Sequence, residues 1–232
     1  PHIFLITTDA LSYRHTNGGG YERDVTPMLQ AWSARATVFT RAFSPGPDTA
    51  TALPALFTGV YSSMIPDLHP ASRRKSLRTP TNLAQALGRG GYDTYAVVGN
   101  NYFFPEEWPG ITHGFDHVDV DAVAEAGERY RTPKPHTSPE LTDHVIRYIA
   151  ERKANPLFIW VHYFDHHPFY SVPRGEEPFG QGDSPLDRYD TELRFSDRHW
   201  GRLFAAIEET FTPDEYIAIF TADHGEAFDA NH

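Results

Sequence analysis

The chain has 232 residues, with 20 Lys and Arg against 31 Asp and Glu, giving a formal net charge of −11. That acidic surplus excludes a phosphate-backbone binder, which needs a basic face, and the one basic cluster, Arg73-Arg74-Lys75 with Arg78, reads as a solvated loop. Apolar residues at 40% and aromatic residues at 14% exclude a disordered chain, while the lack of cysteine excludes disulfides, thiolate metal sites and thiol catalysis.

In chain order, an apolar strand is predicted over residues 3–7, then a helix opened by Thr26-Pro27 and carrying Leu29, Trp32 and Ala36 on one face. A shorter strand is predicted over 38–42. A Pro- and Gly-rich stretch from Ser44 runs into a short apolar helix ended by Gly59, and a helix from Thr81 through Leu83 and Leu87 stops at Gly90-Gly91. Strands follow over 92–98, 157–163 and 216–221, all uninterrupted apolar runs that suit burial on both faces. Helices separate them: one from Ser138-Pro139-Glu140 with Leu141, Val145 and Ile149 at helical spacing, another from Ser184-Pro185 to about Glu209. Residues 66–80, 100–139 and 168–183 are read as long loops over the sheet edge. Strands alternating with helices predict an α/β three-layer sandwich, a largely parallel sheet with helices on both faces.

No run reaches the roughly 18 to 20 apolar residues that a membrane helix needs, and no basic-then-apolar leader is visible. Because Pro1 leads straight into a core strand, residues 1–232 are expected to be a single domain excerpted from a longer protein, incomplete at the C-terminus, with further strands beyond 232.

Three strand exits carry reactive groups. Thr7-Thr8-Asp9 delivers one carboxylate, and Thr221-Ala222-Asp223-His224-Gly225-Glu226 delivers a carboxylate, an imidazole and another carboxylate. Asp9, Asp223 and His224 have the donor set of an oxygen-rich divalent-metal site open to zinc, manganese, calcium or magnesium; the alternative is that both aspartates cap the turns after their strands. Thr49 stands at the start of the apolar helix, where unpaired N–H groups and the helix dipole suit an anionic tetrahedral group; the alternative is a plain N-cap. The third exit, His162-Tyr163-Phe164-Asp165-His166-His167, packs three histidines and an aspartate into six residues, a source of a cation or a proton donor for an anion.

Taken together, these segments resemble the alkaline-phosphatase-like superfamily, specifically the sulfatase N-terminal domain branch, which also contains phosphoethanolamine and phosphoglycerol transferases. Phe4 to Leu11 resembles its opening metal-binding strand, Thr26 to Ser44 the segment that follows, and Thr49 with Leu56-Phe57-Thr58-Gly59 the nucleophile helix. The spacing agrees, since the nucleophile stands ten residues before that glycine. Leu83 to Thr94 with Gly114-Phe115-Asp116, His162 to His167, Tyr189-Asp190-Thr191-Glu192 with Asp197, and Thr221 to Glu226 resemble later family segments in the same order.

The resemblance implies that Asp9, Thr49, Asp223 and His224 bind a divalent metal and that Thr49 is the covalent nucleophile. It puts His167, with His162 as second choice, on a substrate oxygen or the leaving group, and lets Asp165 orient a histidine. His232 is the candidate for a further histidine. The cysteine or serine that sulfatases oxidise to formylglycine is absent, as is the arginine of their Cys-x-Pro-x-Arg motif; the run here is Thr49-Ala50-Thr51-Ala52-Leu53. The expected activity is hydrolysis of phosphate or sulfate esters through a threonine intermediate. The alternatives are phosphoethanolamine- or phosphoglycerol-type transfer and a catalytically degenerate binding module. The implied substrate is an anionic ester of a small molecule, lipid or glycan, and the full-length protein is expected to be extracytoplasmic or joined to upstream membrane helices.

Overall fold

In the computed structural model of the chain, the described residues are 1–65, 81–99, 111–120 and 136–228. The basic cluster at 73–78, His232 and most of two expected loops lie outside them. Strands β1 (His2–Thr8), β2 (Asp93–Val98), β3 (His117–Asp119), β4 (Leu157–Tyr163) and β5 (Tyr216–Ala222) form one sheet in the order β3-β2-β4-β1-β5, with every pairing parallel. Helices α1 (Pro27–Ser33), α2 (Thr49–Thr58), α3 (Leu83–Arg89), α4 (Ser138–Ala150) and α5 (Pro185–Thr210) cover it.

The side-chain period of two divides β4 between two cores. Leu157, Ile159, Val161 and Tyr163 pack with Leu141, Val145 and Ile149 of α4 and with Leu193, Trp200 and Leu203 of α5. Phe158 and Trp160 face the other way, against Leu53 and Phe57 of α2 and Ala84 of α3. Each such large apolar side chain contributes about 1.5–3 kcal/mol by leaving water. The result is the expected three-layer, alkaline-phosphatase-like sandwich.

Local side-chain caps open α2, α3 and α5, whereas α1 and α4 have none. Asn82 and Gln85 form a capping box on α3, and Ser184 caps α5 through Asp187 N–H. Thr26 makes no side-chain cap for α1. Instead the buried Asp197 carboxylate of α5 accepts from Met28 N–H at 2.8 Å and Leu29 N–H at 2.9 Å, so α1 is capped from a neighbouring helix.

Three expectations are corrected. Residues 38–42 form no strand: Val38 is 50% and Phe39 79% exposed, and no strand pairs with them. β5 is not buried on both faces. It is the sheet edge among the described residues, and Ile217 and Ile219 are 47% and 46% exposed. The third difference is β3, a three-residue strand inside the stretch read as loop; it is too short to leave a pattern and exists only because β2 offers its edge.

Candidate active site

Parallel pairing decides where the acids go. β1 and β5 run side by side with Thr8 opposite Ala222, so Asp9 and Asp223 leave the same sheet edge as neighbours. Asp9 N–H donates to Tyr163 O at 2.9 Å and Asp223 N–H to Thr8 O at 3.1 Å, which carries the ladder one residue past each strand. The chain then turns sharply at Ala10, whose φ is +50°, a left-handed conformation that costs a side-chain-bearing residue about 1–2 kcal/mol.

α2 approaches from the other side of the sheet edge and places Thr49 at its first turn. The Thr49 hydroxyl donates to Asp9 Oδ2 at 2.9 Å and lies 3.3 Å from His224 Nε2. Asp48, not Thr49, is the N-cap: its carboxylate accepts from Thr51 N–H, so the capping alternative for Thr49 falls away and its hydroxyl turns to the site. Gly59 closes the helix at φ +68°, where a left-handed residue is needed.

His224 is held by its far side. Nδ1 lies 2.8 Å from Gly225 O, which accepts the hydrogen bond from Nδ1–H and leaves Nε2 facing the cluster. Burial pushes the His224 pKa down, but Asp223 and Asp9 beside it leave it raised overall.

The three candidate ligands meet. Their nearest donor atoms all lie within 4.8 Å of one another, with His224 Nε2 at 3.8 Å from Asp9 Oδ1 and 3.7 Å from Asp223 Oδ2. Ligands at 2.0–2.4 Å from one ion stand about 3–4.5 Å apart, so the spacing fits a divalent cation. Asp223 Oδ1 accepts from His224 N–H at 2.7 Å and Ala10 N–H at 3.2 Å, whereas Oδ2 is buried with no hydrogen bond among the described residues. A buried carboxylate oxygen left so, pointing into a cluster of like donors, is what a cation-binding residue requires. Neither aspartate is therefore a simple turn cap.

The third cluster divides. His162 is fully buried behind Asp9, with Nε2 3.9 Å from Asp9 Oδ2 and Nδ1 2.8 Å from Thr7 Oγ1, which also accepts from Trp160 Nε1. Burial drives its pKa down to about 4, so the ring is neutral. It supports the acid from behind and is not on the open side, where a substrate would arrive. His166 is also buried and meets Thr8 Oγ1 at 2.7 Å, pinning the end of β1. His167 is partly exposed, stacked on Phe164 with ring centroids 4.3 Å apart. Asp165 orients no histidine: its carboxylate accepts from Thr137 N–H at 2.7 Å, Thr137 Oγ1 at 3.2 Å and Ser138 N–H at 3.0 Å, and so anchors the start of α4. Glu226, the last acid of its motif, accepts from the Tyr170 hydroxyl and stands apart from the ligand group.

Two supporting residues went unread in the sequence. Asp48 was visible as an acid two residues after proline-glycine, yet gave no sign that it caps α2 in place of Thr49. Tyr189 sits on α5 and bonds to the turn after Asp9, a partnership that no local pattern announces. A cleft of about 570 Å³ is lined by Leu29, Trp32, Phe39, Phe43 and Ile219 and by Asp223 and His224 of the site.

A family model described as Sulfatase matches residues 1–232. Comparison with curated proteins gives no match. Among solved structures, the chain is similar to phosphonate monoester hydrolase of Agrobacterium radiobacter, with a TM-score of 0.75 and 20% identity over 97% of this chain and 63% of that one. It is also similar to the C-terminal periplasmic domain of EcEptC from Escherichia coli in complex with Zn, with a TM-score of 0.73, 17% identity and coverage of 97% and 64%. A third is the soluble domain of lipooligosaccharide phosphoethanolamine transferase A from Neisseria meningitidis, with a TM-score of 0.71, 16% identity and coverage of 97% and 67%. At these identities the likeness is one of fold, and the chain spans about two thirds or less of each of these three.

Proposed function

Since this chain belongs to the sulfatase family, we propose that residues 1–232 form the catalytic domain of a metal-dependent enzyme that cleaves phosphate or sulfate esters through a covalent intermediate on Thr49. The observation that carries the reading is the 2.9 Å hydrogen bond from the Thr49 hydroxyl to Asp9, with the imidazole of His224 3.3 Å away. A hydroxyl at a helix start, bonded to one carboxylate and beside an imidazole, has no capping duty and is aimed at the only group of three candidate ligands among the described residues.

Asp9, Asp223 and His224 would hold the cation, with Thr49 Oγ1 as a further ligand. When bound, a divalent ion lowers the pKa of a hydroxyl and neutralises charge on an ester's oxygens. Asp9 orients Thr49 Oγ1 for in-line attack. The Thr49 proton passes to Asp9 Oδ2, its hydrogen-bond acceptor, as the Oγ1–phosphorus bond forms and the bond to the leaving oxygen breaks, and a protonated His167 gives that oxygen a proton. The dipole at the start of α2 favours the extra negative charge. A water then attacks the phosphothreonine and gives its proton to His167; phosphate leaves, and Thr49 Oγ1 takes back its proton from Asp9. An acceptor hydroxyl doing the same would make the protein a transferase, the second reading, favoured by the run Thr49-Ala50-Thr51-Ala52 and by the neighbour in fold described as a phosphoethanolamine transferase.

Phosphate ranks before sulfate for a chemical reason. A formylglycine hydrate expels sulfate by collapsing to the aldehyde, whereas a threonine sulfate has to be opened by water attacking sulfur; phosphothreonine yields to in-line attack at phosphorus. The substrate class is an anionic ester of a small molecule, lipid or glycan. A neighbour described as a periplasmic domain supports an extracytoplasmic setting, while no described helix is long and apolar enough to cross a membrane.

The test is turnover of an aryl phosphate, a phosphodiester and an aryl sulfate with zinc, manganese, calcium or magnesium added, together with Thr49→Ala and mass spectrometry of the trapped chain. We expect a phosphorylated Thr49 and a loss of several powers of ten in Thr49→Ala. Turnover of that variant within tenfold of the parent refutes the nucleophile, preference for the aryl sulfate reverses the ranking, and ligand affinity without any turnover identifies a binding module.

A further inference from the structure

Ala10 and Phe169 are the only non-glycine residues at positive φ among the described residues, and Ala10 directly follows Asp9. It is fully buried, so no solvent contact offsets the conformation. A strained backbone persists only where its surroundings over-determine it. The surroundings here are few. Ala10 N–H donates to Asp223 Oδ1 at 3.2 Å on one side. On the other, the Tyr189 hydroxyl of α5 donates to Ala10 O at 2.8 Å and accepts from Ser12 N–H at 3.2 Å, bridging both ends of the turn.

Tyr189 is itself immobile. Its ring is completely buried, with Phe228 at 4.8 Å, Tyr170 at 5.4 Å, His15 at 5.7 Å and His166 at 6.1 Å between centroids. Burial pushes its pKa far upward, so the hydroxyl keeps the proton it gives to Ala10 O. The Ala10 N–H that Asp223 Oδ1 accepts belongs to the peptide between Asp9 and Ala10, whose tilt is set by ψ of Asp9 together with φ of Ala10. Were the turn to relax to negative φ, that peptide would rotate and its N–H would leave the Asp223 carboxylate.

We propose that Tyr189 is a positioning residue: its hydroxyl clamps the left-handed Ala10 turn and so keeps Ala10 N–H on Asp223 Oδ1, which holds the other oxygen of that carboxylate toward Asp9 and His224 as a divalent cation needs. This rests on the metal-site reading above. Tyr189 is not one of the candidate ligands. Its effect is to pre-organise a ligand, and loss of such a supporting hydrogen bond lowers metal affinity by about 10–100-fold in comparable sites.

The experiment compares the full chain with Tyr189→Phe, Ala10→Gly and the double variant. Zinc or manganese binding is followed by calorimetry, hydrogen exchange of the amides of residues 9–12 is measured in the metal-free protein, and kcat and KM for a phosphate ester are determined with the metal in excess. Phenylalanine fills the same space, so melting stays cooperative. We expect Tyr189→Phe to weaken metal binding by about tenfold or more and to speed exchange at 9–12, with kcat recovering at saturating metal. Glycine takes positive φ without strain. Ala10→Gly alone should therefore stay within about threefold of the parent, and adding it to Tyr189→Phe should restore most of the lost affinity. Unchanged affinity in Tyr189→Phe overturns the proposal, and so does failure of Ala10→Gly to restore it, which would make the tyrosine a packing residue. If the parent chain binds neither ion, the metal site itself is wrong; if the parent binds and the variant binds equally, only the clamp is wrong.

Discussion

Replacing Asp165 by alanine separates a structural carboxylate from a catalytic one. The side chain is 1% exposed and receives three hydrogen bonds from Thr137 and Ser138, two of them from backbone N–H groups at 2.7 and 3.0 Å where α4 begins. Hydrogen bonds to a charged acceptor are worth about 1.5–3 kcal/mol each, and an anion at a helix N-terminus adds about 0.3–1 kcal/mol more. The bonds share one carboxylate and do not add fully, so the variant should lose about 3–5 kcal/mol, much of it from leaving two buried N–H groups without partners. That is a large part of the 5–15 kcal/mol typical of a domain and lowers the melting temperature by about 10 °C. Urea melts followed by far-ultraviolet circular dichroism give the stability, and ester turnover is measured far below the melting transition. Turnover of the folded variant should remain within about tenfold of the parent. If stability moved by less than about 1 kcal/mol while turnover fell a thousandfold, Asp165 would be orienting a catalytic histidine after all.

Asp223→Asn keeps an oxygen for the N–H groups of Ala10 and His224 but removes the buried negative charge facing the cluster. It should fold as well as the parent without metal yet bind zinc or manganese at least about a hundredfold more weakly in calorimetric titration; tight binding by this variant rules Asp223 out as a ligand. Asp197, whose carboxyl is pushed by burial from 3.8 to about 6 despite its bonds to the α1 backbone, makes stability depend on pH. Because the folded protein holds this proton more tightly than the unfolded chain, the contribution is complete below about pH 4 and fades as pH rises through 6, by about 3 kcal/mol. Asp197→Asn should lack that decline, and parallel stability curves for the two proteins between pH 4 and 7 would contradict it.

How much of the site was legible depended on distance along the chain. Asp9, Asp223 and His224 could be picked out because each ends an apolar run, and Thr49 because a glycine ten residues later marks the end of its helix. What could not be read is which partner each group would find. Asp165 looked like a histidine's companion because it lies beside His166 and His167, but its bonds go to Thr137 and Ser138, 28 and 27 residues away. His162 belonged to the same dense motif, yet strand alternation turns it inward behind Asp9.

Local pattern alone therefore determined the alternation of strands and helices, the helix start at Ser184, and the carboxylates and hydroxyl that a cation would need. These are set by side-chain period, capping and turn chemistry, which act within a few residues. Tertiary structure decided the rest: that β1 and β5 are neighbours, that α1 is capped by Asp197 of another helix, that 38–42 pairs with nothing, and that a phenol from α5 reaches the turn after Asp9. Each of these joins residues far apart in the chain, and burying two cores on opposite faces of one sheet selects among such contacts in a way that no short window of sequence records.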